Sequence, residues 1–90
     1  MEFEEVCYLE SYGNYVKVWN QESFHLTPAT LSAFEEQLPQ TDFYRIHKSY
    51  IINRKHIAFI EGNTLVMKNE TKLPIGKNQR QRFKEFIARG

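Results

Sequence analysis

Basic, amide and hydroxyl side chains gather at three places in this chain. Asn14 and Tyr15 follow a glycine, Gly13. Arg45, His47, Lys48, Ser49 and Asn53 fall within the single run Phe43–Asn53. Lys77 and Arg80 follow Gly76 at the start of the last helical pattern. Such side chains offer donors that can meet phosphate oxygens or the edges of bases. A helix start adds free backbone N–H groups and the positive end of the helix dipole. The central run also carries Phe43, Ile46, Tyr50, Ile51 and Ile52, the residues a half-buried strand needs. Its donors are then either a solvated edge that blunts aggregation or a surface turned toward an anion.

Charge favours the second reading. Met1 to Asp42 holds eight carboxylates and one base, Lys17, whereas Phe43 to Gly90 holds eleven bases and three carboxylates. The halves carry −7 and +8 although the whole chain is only +1. That asymmetry implies a side facing a polyanion and a side that solubilises or meets a partner.

Most chemistry is excluded by what the chain lacks. Cys7 is the one cysteine, so there is no internal disulfide and no cysteine-based zinc site; between Val6 and Tyr8 it reads as a small core residue. His25, His47 and His56 are not spaced to share a metal, and the four glycines form no phosphate-binding loop. No nucleophile is paired with a base, so an enzyme is not expected, and neither a metal nor a cofactor is. No apolar run reaches the length of a membrane span and no leader pattern is present, which reads as a cytoplasmic chain. The glycine-aromatic signature of an RNA-recognition sheet is missing.

Ninety residues make one small domain, 1–90, with Met1–Glu5 expected to fray or to be the stump of a linker. Val6–Leu9 and Tyr15–Trp19 read as strands joined by a tight turn at Ser11–Asn14, the second alternating in period two. Ser23–Thr27 is a short third strand. Thr27-Pro28 predicts a helix start, with Leu31, Phe34 and Leu38 as its apolar stripe, acid outward at Glu35 and Glu36, and Pro39 as its stop. Strands follow in Phe43–Asn53, Ile57–Ile60, Thr64–Met67 and Lys72–Ile75. A helix from about Lys77 to Arg89 packs Phe83, Phe86 and Ile87, with Gly90 placed to cap it. The fold class is therefore mostly β, small antiparallel sheets with two short helices, and not helix-turn-helix.

These residues resemble a LytTR-type DNA-binding domain, the output domain of LytR/AlgR response regulators of bacterial two-component systems. The resemblance runs from about Val6 to Ile87. It is carried by Tyr8-Leu9-Glu10 before Gly13-Asn14-Tyr15-Val16, Thr30-Leu31 with Phe34-Glu35 and Leu38, the whole run Phe43–Asn53, Ile57 and Ile60, and Leu73-Pro74-Ile75. It departs at Gly76, where the family often has serine. The resemblance implies loops inserted into successive major grooves of bent double-stranded DNA. It implies base contacts from Asn14, Tyr15, Lys48 and Lys77. Arg45, His47, Ser49, Asn53 and Arg80 would hold the DNA backbone or brace the loops. It also implies repeated half-sites, pairing of two copies on them, and an upstream receiver domain. A different class fits the charge pattern too: a β-rich interaction module whose basic half binds an acidic protein.

Overall fold

Tyr8–Tyr12 (β1) and Tyr15–Trp19 (β2) fold back on each other around Gly13 and Asn14, with Tyr12 opposite Tyr15. Gly13 sits at φ 58 and Asn14 stays out of the left-handed region. Glycine first and an ordinary residue second is the two-residue turn whose twist matches that of its strands. Side chains then alternate: Val16 and Val18 are buried on one face, while Lys17 and Trp19 project from the other.

The computed structural model describes residues 3–89. Gly90, expected to cap the last helix, and Met1–Glu2 of the expected linker stump lie outside them. The remaining strands are Phe24–Thr27 (β3), Phe43–His47 (β4), Tyr50–Asn53 (β5), Ile57–Glu61 (β6), Thr64–Met67 (β7) and Lys72–Pro74 (β8). Helix α1 spans Leu31–Gln37 and α2 spans Arg80–Ala88. Five strands form one sheet in the order β3-β2-β1-β5-β4, and three form a second in the order β6-β7-β8; every neighbouring pair is antiparallel.

The larger sheet is covered on both faces, so that adjacent residues such as Ile51 and Ile52 of β5 are both buried. On one face Leu9, Val16, Val18 and Ile51 pack with Leu31 and Leu38 at the two ends of α1. On the other, Tyr8, Ile46 and Ile52 pack with Leu65, Met67 and Leu73 of the small sheet and with Phe83 and Phe86 of α2. Each such side chain contributes roughly 1.5–3 kcal/mol by leaving water. Cys7 is fully buried in this second cluster, and burial pushes its thiol up to about 11.

Four expectations are corrected. Phe43–Asn53 is a hairpin and not one continuous strand. Tyr44 pairs with Ile52 and Arg45 with Ile51, then the register slips so that His47 faces Tyr50. The extra residue is a β-bulge, which lets Ile46 stay buried while the chain turns at Lys48-Ser49. Helix α1 starts three residues later than Thr27-Pro28 suggests. Thr27 belongs to the β2–β3 ladder opposite Val16, and it is Thr30 whose hydroxyl accepts the Ala33 N–H at 3.1 Å. The last helix opens as a 3-10 turn over Lys77–Gln79, a common form of helix start, and becomes α-helical only at Arg80. Phe3–Glu5, expected to fray, is packed on the domain. It forms a 3-10 turn whose Phe3 ring packs edge-on against Phe43 with centroids 6.2 Å apart.

Candidate nucleic-acid interface

The topology brings the three groups of donors, Asn53 excepted, to one end of the larger sheet. Strand β1 lies between β2 and β5, so the β1–β2 turn and the β4–β5 turn are neighbours. The Ser11 N–H donates to the Ser49 carbonyl at 2.9 Å, which locks the two hairpins side by side. Their tips are roughly 10 Å apart, two strand spacings. The third group is tied in from the other side. The Gly76 N–H donates to the Ile46 carbonyl at 2.6 Å, which sets Lys77 beside the β4–β5 hairpin. The fit is close, since a Cβ built on residue 76 would lie 3.1 Å from that same carbonyl oxygen and 2.5 Å from the Gln79 side-chain oxygen.

At this end Asn14, Lys48, Lys77 and Arg80 are exposed, and Tyr15 is 44% exposed. Among the described residues, Lys48, Lys77 and Arg80 form no ion pair. Their charge is therefore uncompensated.

The β4–β5 turn is held from within. Arg45 Nη2 donates to the Lys48 carbonyl at 2.7 Å, while its Nη1 donates to Glu35 Oε1 at 3.1 Å and to Ser32 Oγ at 3.2 Å. Acidic α1 is thus strapped to the turn through Arg45. Inside the turn, the Ser49 N–H donates to His47 Nδ1 at 3.1 Å, so a neutral His47 carries its proton on Nε2. The His47 ring lies 5.7 Å from that of Tyr50. Burial, and secondarily the charge of Glu10, raises the Tyr50 phenol above its ordinary value.

Asn53 lies elsewhere. It is 1% exposed, at the opposite end of β5. Its Nδ2 donates to the Val6 carbonyl at 2.9 Å and to the Phe3 carbonyl at 3.3 Å, and its Oδ1 accepts the Lys55 N–H at 3.0 Å. No atom of it is left for a ligand. Sequence reasoning missed Tyr12, which is 54% exposed and shares a face with Tyr15 across the turn. The register of the hairpin was the available signal: in a two-residue turn the flanking residues must face each other.

Among the described residues, no group of three histidines, cysteines or carboxylates could hold a metal, and no helix is long and apolar enough to cross a membrane. The family model of the LytTr DNA-binding domain matches residues 1–88. The chain belongs to this family. It is a DNA-binding family and not an enzymatic one, so the acidic-partner alternative is not favoured. A LytTr DNA-binding domain from Bacillus cereus has the same fold, with a TM-score of 0.87 at 29% identity over 97% of this chain and 84% of that one. Longer relatives include a sensory transduction protein and two transcriptional regulators. The sensory transduction protein LytT of Bacillus cereus is 29% identical over 93% of this chain and 36% of its own length. The CO-responsive transcriptional regulator RcoM of Rhodospirillum rubrum is 34% identical over 92% of this chain and 38% of its own. The transcriptional regulatory protein LytR of Staphylococcus aureus is 35% identical over 69% of this chain and 27% of its own. The chain thus matches only 27–38% of the length of these relatives.

Proposed function

We propose that this LytTr domain recognises specific duplex sequences through the end of the sheet where its two hairpin turns and the Lys77 turn converge. That convergence, with its exposed cations unpaired among the described residues, carries the reading. Asn14 and Tyr15 at one tip, Lys48 at the next and Lys77 beyond it enter the major groove. Lysine there donates to the O6 and N7 acceptors of guanine. Arg80 holds phosphate. Arg45, His47 and Ser49 keep the Lys48 turn in shape, and Asn53 ties the far end of the same hairpin.

The longest dimension of the domain is 31 Å, close to one turn of B-DNA, ~34 Å. One copy therefore reaches no further than two successive major grooves on one face. A second copy on a repeated half-site occupies the same face when the repeats are spaced by whole turns. In the whole protein, a receiver upstream of this domain would control that pairing, and the protein would act on the chromosome in the bacterial cytoplasm.

The test begins with selection of a preferred site from a random duplex pool. Lys48→Ala and Lys77→Ala are then titrated against that site and against scrambled duplex at one fixed salt concentration. Each change is expected to cost roughly 1–3 kcal/mol on the selected site and much less on scrambled DNA. Equal losses on both duplexes would reduce the two lysines to phosphate contacts and defeat base reading.

A further inference from the structure

Lys17 is the one base among the eight carboxylates that precede Phe43. In the sheet it stands directly opposite Glu10 across β1–β2, the position from which oppositely charged side chains ordinarily pair. It does not pair there. Glu10 Oε1 instead accepts the Trp19 indole N–H at 3.2 Å. The Lys17 ammonium sits 4.2 Å from the centre of the Tyr12 ring and 4.8 Å from that of Phe24. Among the described residues it makes no ion pair.

Two aromatic faces hold a cation in place without cancelling its charge. A free lysine loses much side-chain entropy when it engages a partner, and here much of that ordering has already occurred on folding. The location matters as much as the order. Tyr12 is the last residue of β1, immediately before Gly13-Asn14, and faces Tyr15 across the turn. A major groove entered by that turn is walled by phosphates. A fixed, uncompensated cation at the base of the turn fits one of them.

We propose that Lys17, clamped between Tyr12 and Phe24, is a phosphate contact at the base of the Gly13-Asn14 turn. The inference rests on the duplex-binding reading and assigns a role to a residue in the acidic half of the chain. Lys17 holds phosphate and carries no base information. Its loss weakens all sequences alike.

The experiment measures affinity for selected and scrambled duplex over a range of salt concentrations, with thermal melting of each variant alongside. Lys17→Met is expected to lower the slope of log affinity against log salt by about 0.9, the contribution of one phosphate contact, on both duplexes. Lys17→Arg should restore the wild-type slope. Tyr12→Leu keeps the charge but opens the clamp, and should weaken binding roughly two- to fivefold, the worth of an exposed cation–π contact. Tyr12→Phe should bind like the wild type. An unchanged slope in Lys17→Met, beside a wild type that binds with normal salt dependence, overturns the inference and assigns the aromatic face to something other than DNA. So does a Lys17→Arg protein that melts normally yet shows the slope of Lys17→Met. A wild type that binds no duplex would defeat the duplex-binding reading itself, and this inference with it.

Discussion

At one end of the β4–β5 hairpin Lys48 is exposed and unpaired among the described residues. At the other end Asn53 is 1% exposed and every polar atom of its side chain is bonded to the chain around it. Arg54 behaves like Asn53. Its guanidinium donates to the carbonyls of Phe86 and Thr41 and lies 4.8 Å from the Phe86 ring. It therefore ties the last turn of α2 to the loop before β4. Both ends carry donors of similar kinds. They differ in whether the chain supplies acceptors. Where a backbone carbonyl is within reach, the donor becomes structure; where none is, it stays available to a ligand. Arg45 stands between these cases, because it sits near the open end yet donates inward to Lys48.

Asn53→Ala is expected to show the largest effect on stability. It strips partners from the Val6 and Phe3 carbonyls and from the Lys55 N–H, and should cost roughly 2–4 kcal/mol in urea unfolding. The salt dependence of DNA binding by the remaining folded protein should not change. A stability loss no larger than that of Lys48→Ala would erase the contrast between the two ends.

Alkali should attack the closed end. The Cys7 backbone bonds to Asn53, and burial raises the Cys7 thiol from 9.0 to about 11. Burial likewise raises the neighbouring Tyr8 phenol from 10.0 to about 12, against a hydrogen bond with Thr71 that lowers it. Both groups hold their protons more tightly when folded. Their contribution is complete below the unfolded values and disappears as pH climbs through the folded ones. Urea midpoints should be steady up to about pH 9 and fall from there toward pH 12, by roughly 2 kcal/mol for each group. A midpoint flat to pH 11 would mean that neither group is sealed from water.

Arg45→Met tests the intermediate case. Its ion pair with half-exposed Glu35 should matter little to stability, roughly 0.5 kcal/mol. Loss of its bond to the Lys48 carbonyl loosens the turn and should weaken cognate binding by about 1 kcal/mol, with smaller effect on scrambled duplex. The smallest effect is expected from Arg82→Ala. Arg82 is exposed and lines the cleft between α1 and α2 with Glu35 and Arg89. Affinity for either duplex should stay within about 0.5 kcal/mol of wild type. A larger loss would bring that cleft to the DNA.

The elements were largely legible because their signals are local. Alternation announces β2, and Pro39 announces the end of α1. The open end was legible as three separate clusters, but nothing local says that they meet. The bonds that unite them, Ser11 to Ser49 and Gly76 to Ile46, join backbone groups that every residue possesses. The same limit hid the bulge at Ile46, which is decided by what Ile46 must reach and not by its neighbours. It also hid the seat of Phe3–Glu5, because Asn53 and Phe43, which receive that segment, look in sequence like any amide and any strand aromatic. Thr27 reads as the cap because a strand's last threonine and a helix's first look alike until pairing is known.

The bonds of Asn53 to Phe3 and Val6 join residues 50 and 47 positions apart, and Lys55 meets Glu4 across 51. The β1–β2 hairpin, by contrast, closes over two residues. Loop-closure entropy makes the short closure early and the long ones late. During synthesis the Asn14 turn should take shape while the residues that will close the domain are still unmade. Arg54 then waits a further 32 residues for the carbonyl of Phe86. The Asn14 turn, one of the three pieces of the proposed DNA-facing end, is thus assembled early, and the contacts that close the domain come later.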